Sequence, residues 1–351
     1  MKKHRKMTEV TTSARKDDHI RINLERDVQS DRVSTGLERL YFEHQALPEI
    51  DMAAVDTTLT VFGRQLSAPL LISCMTGGSA RSGEINRALA NAAQHAGVAL
   101  GLGSMRAAFE HPETVASFQV RDIAPDVLLM ANIGAVQLNY GVGVEDCRSI
   151  IEMAKADVLV MHFNALQEAV QPEGDTDFSG LLAKVEQVCT ALARDGIPVV
   201  AKEVGWGFSE DTCRALASAG VAAIDVAGAG GTSWSQVEMH RAEDETEKKV
   251  AAAFVDWGIP TAKALDNARC GAPEIIAIAS GGLRDGVEVA KCIALGASLA
   301  GMARPFLEAA ARSPEEVLQA VRVIEHQLRV SMFCAGSADI YALQRTPLMQ
   351  R

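Results

Sequence analysis

Four hydrogen-bonding side chains cluster where one apolar segment of the sequence ends. Residues 158–163 are apolar apart from His162 and too few for a helix, so they predict a buried strand. Because side chains alternate along a strand, His162 and Asn164 share one face, and Gln167 and Glu168 follow in the predicted loop. The alternative is a polar strand end whose groups are satisfied by neighbours. Since each buried polar group needs a partner or water, we interpret the cluster as a functional site.

Two glycine-rich segments in the C-terminal part of the chain predict a phosphate site. Residues 280–284 read Ser-Gly-Gly-Leu-Arg, and residues 301–304 read Gly-Met-Ala-Arg. A Gly-Gly turn that opens a helix exposes backbone N–H groups beside the positive end of the helix dipole. Arg284 could add a bidentate contact to the phosphate. The alternative is a tight turn whose glycines only permit positive φ.

Lys202 lies in the apolar segment 199–204 and predicts an anionic partner, because a buried ammonium group must be paired to stay charged. A phosphate cofactor with an electron-rich ring, such as reduced flavin, would offer that partner beside ring N1. An ion pair with a neighbouring carboxylate is the alternative. The Gly230-Gly231-Thr232 sequence then predicts a loop that lets the backbone approach the cofactor, with the Thr232 hydroxyl available.

Alternating strands and helices must position these residues. The apolar segments that predict strands are 70–75, 98–102, 127–133, 158–163, 199–204, 223–226, 275–279 and 298–302. Helical patterns lie between them, such as 85–96, 144–154, 181–194, 210–219 and 287–295, and several end at a glycine. Eight such alternations indicate an α/β protein with a closed parallel (β/α)8 TIM barrel, whose active site lies at the C-terminal strand ends.

Two regions exceed a plain barrel. Residues 1–67 predict an N-terminal extension with a charged arm, which composition alone makes solvated, and a hairpin at 55–66. Residues 68–351 predict the barrel, with closing helices at 305–311 and 314–336. The sixth strand–helix loop is long and carries a helical pattern at 251–257, so it could act as a lid.

Composition excludes several classes of protein. The chain has 351 residues, is 48% hydrophobic and carries a formal charge of -11, which argues against a nucleic-acid surface. Its 7 cysteines include no Cys-x-x-Cys pair, which is typical of a reducing compartment. No apolar leader and no stretch of about 18 apolar residues is present, so we expect a cytoplasmic protein without membrane contact.

Seven motifs together resemble the type 2 isopentenyl-diphosphate isomerases, in the expected order from about residue 13 to beyond residue 304. The motifs are Arg15-Lys16-x-Asp-His-Ile, Met75-Thr-Gly-Gly, Ser104-Met-Arg, His162-x-Asn-x-x-Gln-Glu, Lys202-Glu-Val-Gly, Gly228-x-Gly-Gly-Thr-x-Trp and Ser280-Gly-Gly-x-Arg-x-Gly.

The resemblance implies a role for each matching residue. Flavin mononucleotide (FMN) would be held by Met75, Thr76, Gly77, Ser104, Asn132, Lys202, Thr232, Gly282, Leu283, Arg284, Ala303 and Arg304. The substrate would face Arg15, Lys16, Arg106, His162, Asn164 and Gln167, and Glu168 would bind Mg²⁺. The catalytic set would be His162, Asn164, Gln167 and Lys202.

The implied reaction interconverts isopentenyl and dimethylallyl diphosphate by a 1,3-proton shift, with reduced FMN as acid and base and NADPH as reductant. Arg15 and Lys16 would then fold onto the substrate diphosphate, and the arm would order only with substrate. The family also implies a homo-oligomer, a tetramer or an octamer. The alternative is an FMN-dependent oxidoreductase that oxidises 2-hydroxy acids or dihydroorotate, because such barrels share the phosphate loops. A non-enzymatic flavin-binding or assembly protein is the third hypothesis.

Overall fold

The computed structural model describes residues 12–351, with side chains from Arg15 onward. The first eleven residues of the predicted extension therefore lie outside the described residues. The described part begins with one helix and three short strands: α1 (Thr12–Glu25), β1 (Leu40–Phe42), β2 (Leu59–Val61) and β3 (Arg64–Leu66). Strands β2 and β3 pair antiparallel, so the hairpin predicted at 55–66 is confirmed.

Eight parallel strands close into a barrel in chain order, with the last strand pairing with the first. The strands are β4 (Leu70–Ile72), β5 (Ala99–Gly101), β6 (Leu129–Gly134), β7 (Val158–Phe163), β8 (Val199–Glu203), β9 (Ala223–Asp225), β10 (Ile276–Ser280) and β11 (Leu299–Met302). Each of them lies within one residue of a predicted apolar segment. The predicted (β/α)8 barrel is therefore confirmed.

Helices form the outer layer of the barrel and the connections above it. They are α2 (Ala80–Ala96), α3 (Arg106–Glu110), α4 (Val144–Ala154), α5 (Ala165–Val170), α6 (Leu181–Arg194), α7 (Glu210–Ser218), α8 (Trp234–Arg241), α9 (Glu245–Ala252), α10 (Thr261–Gly271), α11 (Gly286–Ala294), α12 (Arg304–Ala310), α13 (Pro314–Cys334) and α14 (Ile340–Gln344). Both predicted closing helices are present. No helix of the described residues is long and apolar enough to span a membrane.

The helix predicted at 251–257 is wrong. Helix α9 begins earlier because the side chain of Asp244 accepts hydrogen bonds from the backbone of Thr246 and Glu247. It ends at Ala252, and a turn follows in which Trp257 N–H donates to the carbonyl of Phe254. The sixth loop is nevertheless long, since α8, α9 and α10 all lie between β9 and β10.

The barrel interior is apolar at one end and polar at the other. Val158 and Val160 of β7 belong to the cluster inside the barrel, and Leu159 belongs to the cluster between barrel and helices. The same alternation continues to His162, which therefore points inward at the C-terminal end. Val61 and Leu66 of the hairpin pack into the interior cluster. The hairpin thus seals the N-terminal end and leaves the polar end for ligands.

A short strand at the end of the chain completes the fold. Strand β12 (Leu348–Gln350) pairs antiparallel with β1 outside the barrel, and neither partner was predicted. Their sequences are too short to show a period of two. The pairing fixes the chain between α1 and the hairpin against the C-terminal segment.

Candidate active site

A cavity of about 570 Å³ opens at the C-terminal ends of the barrel strands. All predicted site residues except one line it: Arg15, Lys16, Met75, Thr76, Ser104, Arg106, Asn132, His162, Asn164, Gln167, Glu168, Lys202, Thr232, Gly282, Leu283, Arg284, Ala303 and Arg304. The exception is Gly77, where an added Cβ would lie 1.9 Å from the Phe118 ring. Gly77 therefore makes room for packing and does not face the cavity in this structure.

The cluster that follows β7 sits on a helix and not in the predicted loop. Helix α5 begins directly after Asn164, which places Gln167 and Glu168 on the turn facing Asn164. The Asn164 amide donates to Glu168 Oε1 at 2.8 Å and to Gln167 Oε1 at 3.2 Å. Asn164 Oδ1 is buried and has no hydrogen-bond partner among the described residues. That oxygen is free to accept a hydrogen bond from a ligand.

Burial keeps His162 neutral. Desolvation, with the nearby charges of Lys202 and Lys16, lowers the pKa of His162 to about 3. Its Nδ1–H donates to Asn132 Oδ1 at 2.8 Å, since an amide oxygen only accepts. The other ring nitrogen, Nε2, is therefore an acceptor at neutral pH. His162 can receive a hydrogen bond or a proton there.

Glu238 of α8 was missed by the sequence reasoning. It is fully buried, and Oε1 accepts from Gln167 Nε2 at 2.9 Å and from His19 Nε2 at 3.1 Å. Arg241 Nη1 donates to Oε2 at 2.6 Å. Glu238 thus connects the helix after β7, the N-terminal helix and the sixth loop. No sequence signal could have found it, because Gln167 lies 71 positions away.

The N-terminal arm is a helix docked on α8, and not the solvated segment that composition predicts. Whether it orders only with substrate stays a prediction. Ile20 and Ile22 of α1 are 4% and 2% exposed, and Ile22 packs against Val237 of α8. The His19 and Trp234 rings meet edge to face at 5.2 Å. The apolar side of α1 is interrupted by charges, so its period was not visible in the sequence.

Three predicted substrate contacts, Arg15 and Lys16 of α1 and Arg106 of α3, line the cavity and are half-buried. Lys16 Nζ donates to the Ser104 carbonyl at 2.6 Å, and burial, helped by the Arg15 charge, lowers the pKa of Lys16 to about 7. Arg106 is paired with Glu110 at 2.7 Å and with Asp175 at 2.5 Å. An incoming anion would therefore replace carboxylate partners of Arg106.

The glycine loops after β9 and β10 interleave backbone against backbone. A Cβ on Gly231 would lie 2.6 Å from Gly282 Cα, and one on Gly281 would lie 2.1 Å from the Gly228 carbonyl oxygen. Gly281 and Gly282 also have positive φ, 103° and 74°. The loops form one cradle without side chains, open to the cavity at Gly228, Gly231, Gly281 and Gly282.

The helix dipole predicted beside Gly281-Gly282 lies elsewhere. Helix α11 begins at Gly286, and Asp285 caps it by accepting from Glu288 N–H. The Arg284 backbone and guanidinium both donate to Glu288, and the Arg284 side chain is 69% exposed. Its phosphate role stays a prediction that needs this ion pair to open. Arg304 also pairs with a glutamate, through Nε and Glu308 at 2.8 Å, but its Nη1 is buried without a partner among residues 12–351.

The lining suits a phosphate-bearing ligand by charge and by its unpaired atoms. Six cationic side chains line the cavity, those of Arg15, Lys16, Arg106, Lys202, Arg284 and Arg304, against the carboxylates of Glu168 and Glu308. This excess occurs in a chain of net charge -11. Ser73 Oγ, which the sequence reasoning missed, is a buried lining atom without a partner in the described part of the chain. The donors fit a phosphorylated cofactor.

Glu168 stands alone as a candidate metal ligand. No group of three or more His, Cys, Asp or Glu side chains among residues 12–351 could hold a metal ion. The Glu168 oxygens accept from Asn164 Nδ2 at 2.8 Å and from Asp175 N–H at 2.7 Å. These bonds fix the carboxylate while each oxygen keeps a second lone pair. A Mg²⁺ ion here would need ligand oxygens from the substrate and water.

Comparisons with known proteins agree with this geometry. The sequence profile of the FMN-dependent dehydrogenase family matches residues 11–131 and 148–350. An isopentenyl-diphosphate delta-isomerase of Nostoc sp. is 50% identical, with 97% of this chain and 96% of the relative covered. One of Synechocystis sp. is 49% identical (97% and 97%), and one of Rickettsia bellii is 48% identical (95% and 96%).

Solved structures share the fold at low identity. A mandelate oxidase variant superposes with a TM-score of 0.63 at 20% identity, covering 95% of each chain. A lactate oxidase of Pediococcus acidilactici gives a TM-score of 0.64 at 14% identity, covering 95% of this chain and 86% of the other. At such identities the likeness supports the barrel and says nothing of the reaction.

Proposed function

This chain belongs to the isopentenyl-diphosphate delta-isomerases within the FMN-dependent dehydrogenase family, and we propose that it interconverts isopentenyl and dimethylallyl diphosphate in the cavity described above. The observation that carries the proposal is the pairing of two anion-binding regions in one cavity. The glycine cradle and Arg304 follow the barrel strands β9, β10 and β11, whereas Arg15, Lys16 and Arg106 belong to α1 and α3. One region suits the FMN phosphate and the other suits the substrate diphosphate.

FMN fits the floor and the cradle. Gly231, Gly282 and Arg304 would hold its phosphate, Ser73 Oγ and Arg304 Nη1 would gain the partners that they lack, and Lys202 would face its ring. When bound and reduced, FMN supplies an electron-rich ring that can give and take a proton. We propose NADPH as the reductant.

The residues after β7 would orient the isoprenoid substrate. His162 Nε2 is an unprotonated acceptor, and Asn164 Oδ1 is a buried acceptor without a partner among the described residues. Gln167 is fixed by its donation to Glu238. These side chains are neutral, so they can position a carbon skeleton without attracting bulk ions, and burial excludes water from the reacting carbons.

Glu168 would hold Mg²⁺ against the diphosphate. Magnesium prefers oxygen ligands and commonly binds through one or two carboxylates plus substrate phosphates, which fits the carboxylate of Glu168 in a cavity that Arg106 and Lys16 also line. A homo-oligomer, either a tetramer or an octamer, is part of the same proposal and rests on family membership alone.

Isotope-labelled isopentenyl diphosphate tests the function. The FMN-loaded protein with Mg²⁺ and NADPH under anaerobic conditions should form dimethylallyl diphosphate, with many product molecules per NADPH consumed. The matched control is the His162→Ala, Gln167→Ala double variant, which should bind FMN but lose turnover. One NADPH consumed per product, or turnover only of a 2-hydroxy acid, would instead favour the oxidoreductase alternative.

A further inference from the structure

Lys202 and Asp225 meet inside the barrel at the same level. They are register partners across the parallel strands β8 and β9. Val200 and Ala223, two residues earlier on the same strands, belong to the interior cluster. Because side chains alternate along a strand, Lys202 and Asp225 also point inward. Neither the motifs nor the resemblance assigns any role to Asp225.

Asp225 is held between two neighbours at the floor of the cavity. It is 2% exposed, and its Oδ1 accepts from the Ser280 hydroxyl at 2.5 Å. Its Oδ2 lies 3.6 Å from Lys202 Nζ. Lys202 and Ser280 line the cavity, and Asp225 lies behind them. The carboxylate therefore faces the ammonium group from the side away from a ligand.

The long contact leaves Lys202 free to donate elsewhere. An ammonium group has three N–H donors, and the Glu203 carbonyl takes one at 2.7 Å. At 3.6 Å, Asp225 attracts the charge without a short hydrogen bond. A buried ammonium without any counter-charge would be costly, so the Asp225 carboxylate offsets the cost of burying the Lys202 charge.

A third side chain, that of Cys74, is close enough to be affected by the charges of both Lys202 and Asp225. Burial raises the pKa of the Cys74 thiol at the cavity wall to about 11. Lys202 lowers that pKa and Asp225 raises it. The two charges therefore act on one neighbouring group with opposite signs, as they would on a ligand above them.

We propose that Asp225 is a positioning residue for Lys202. Its carboxylate holds the Lys202 ammonium group at the cavity floor and partly cancels the positive charge that a ligand meets. The ligand then meets a nearly neutral pair that still has free N–H donors, and not a full positive charge. Ser280 fixes the carboxylate through its hydroxyl. The consequence for bound FMN rests on the proposed function, whereas the pairing itself does not.

The first test measures pairing in the protein without cofactor. Lys202→Met and Asp225→Asn should each lower the Tm, because each leaves one buried charge unpaired. The double variant should recover more than half of the loss, because both partners are then neutral. Losses that add in the double variant would overturn the pairing. If Asp225→Asn does not fold, the comparison of Lys202→Met with the double variant still decides the question.

The second test measures the midpoint potential of bound FMN by dye equilibration. Asp225→Asn should favour reduced FMN about tenfold, equivalent to about 30 mV for a two-electron couple, and Lys202→Met should shift the potential in the opposite direction. The double variant should return to within about threefold of the original value. A shift of Asp225→Asn in the same direction as Lys202→Met, or no shift, would overturn the charge-offset role.

A matched control separates charge offset from general damage. Asp157 is a half-buried carboxylate, less buried than Asp225, paired with Arg64 at 2.6 Å and with Arg121 at 2.9 Å, and it precedes β7 at the opposite end of the barrel. Asp157→Asn should lower the Tm and leave the FMN potential unchanged. Neither measurement uses isopentenyl diphosphate, so a failure of the proposed reaction would leave both results interpretable.

Discussion

At the level of single residues, the cavity separates atoms that are already paired from those that wait for a ligand. Glu168, Arg106 and Arg284 have protein partners. Asn164 and Arg304 also have partners, but Asn164 Oδ1 and Arg304 Nη1 are buried atoms without one in the described part of the chain. A ligand gains most from the second group, because a buried group without a hydrogen bond is costly. This distinction cannot be predicted from residue type.

Arg304 should contribute more to FMN binding than Arg284. We expect Arg304→Ala to weaken FMN binding by about 10- to 100-fold, the scale of a charge-assisted hydrogen bond of about 1.5–3 kcal/mol. Arg284→Ala should weaken it by less than about tenfold, because the Arg284 side chain is 69% exposed, against 30% for Arg304, while both pair with a glutamate. Fluorescence titration of the apoprotein measures both constants. The opposite ranking would show that the Arg284–Glu288 pair opens on binding.

Glu168→Gln should lower kcat at least about 100-fold, about 2.7 kcal/mol of barrier, and leave FMN bound. The amide keeps the shape of the side chain and one of its two acceptor oxygens, so it can keep only one of the bonds from Asn164 Nδ2 and Asp175 N–H, and it loses the charge that attracts Mg²⁺. Glu173→Gln is the control, because Glu173 pairs with Arg241 and does not line the cavity. Full activity of Glu168→Gln, or activity with a chelator present, would contradict the metal site.

Lys16 should take up a proton when substrate binds. Burial lowers the pKa of Lys16 to about 7, so above pH 7 the free enzyme has a mostly neutral amine. A diphosphate favours the charged form, and proton uptake should therefore grow from zero below pH 6 toward one at pH 9. Calorimetry in buffers of different ionisation enthalpy measures this uptake, with the KM rising over the same range. Lys16→Met should abolish it, and uptake that persists in this variant would assign the proton elsewhere.

At the level of elements, the barrel could be predicted and its attachments could not. The barrel strands are short apolar segments, and α4 and α6 have the predicted bounds because their apolar faces are regular. Helix α1 was not predicted, because it contacts α8 through a few apolar residues that lie between charged ones. Helix α5 has only six residues, too few for a period to show. The partners Glu238 and Asp225 follow from tertiary contacts, to which no local pattern points.

Docking of α1 should be measurable without substrate. Ile22→Ala removes a buried side chain between α1 and α8, a loss of about 2 kcal/mol or more. Amide hydrogen exchange in α1 should accelerate by about 30-fold in the free protein. Arg21→Ala, on the exposed side of the helix, should leave exchange unchanged. Fast exchange of α1 in the unsubstituted protein would support the prediction that the arm orders only with substrate.

At the level of the whole molecule, the net charge and the cavity charge have opposite signs. The chain carries -11, and the cavity lining has six cationic side chains against two carboxylates. At low salt, an anionic substrate is repelled by the surface at a distance and attracted near the mouth. The Debye length is about 10 Å at 0.1 M salt, so added salt screens the long-range repulsion at lower concentrations than the short-range attraction.

We expect the KM for isopentenyl diphosphate to rise several-fold between about 0.05 and 0.5 M salt, with kcat changed less than about twofold, because screening weakens the attraction at the mouth. Steady-state kinetics across this range measures both. Arg15→Gln should flatten the rise, whereas Arg87→Gln, on the surface away from the cavity, should not. A KM that falls with salt would mean that the overall negative charge dominates.

The segment between α1 and β1 lies across the sixth loop. Ser30 N–H donates to the Gly231 carbonyl, Ser233 N–H donates to the Val28 carbonyl, and Arg32 N–H donates to the Asp256 carboxylate. Each of these partners lies more than 200 residues further along the chain, so the segment can dock only after the sixth loop has been made. Because such contacts close a long loop of chain, we expect them among the slower steps of folding. The bond from Ser30 to Gly231 also ties the segment directly to the glycine cradle.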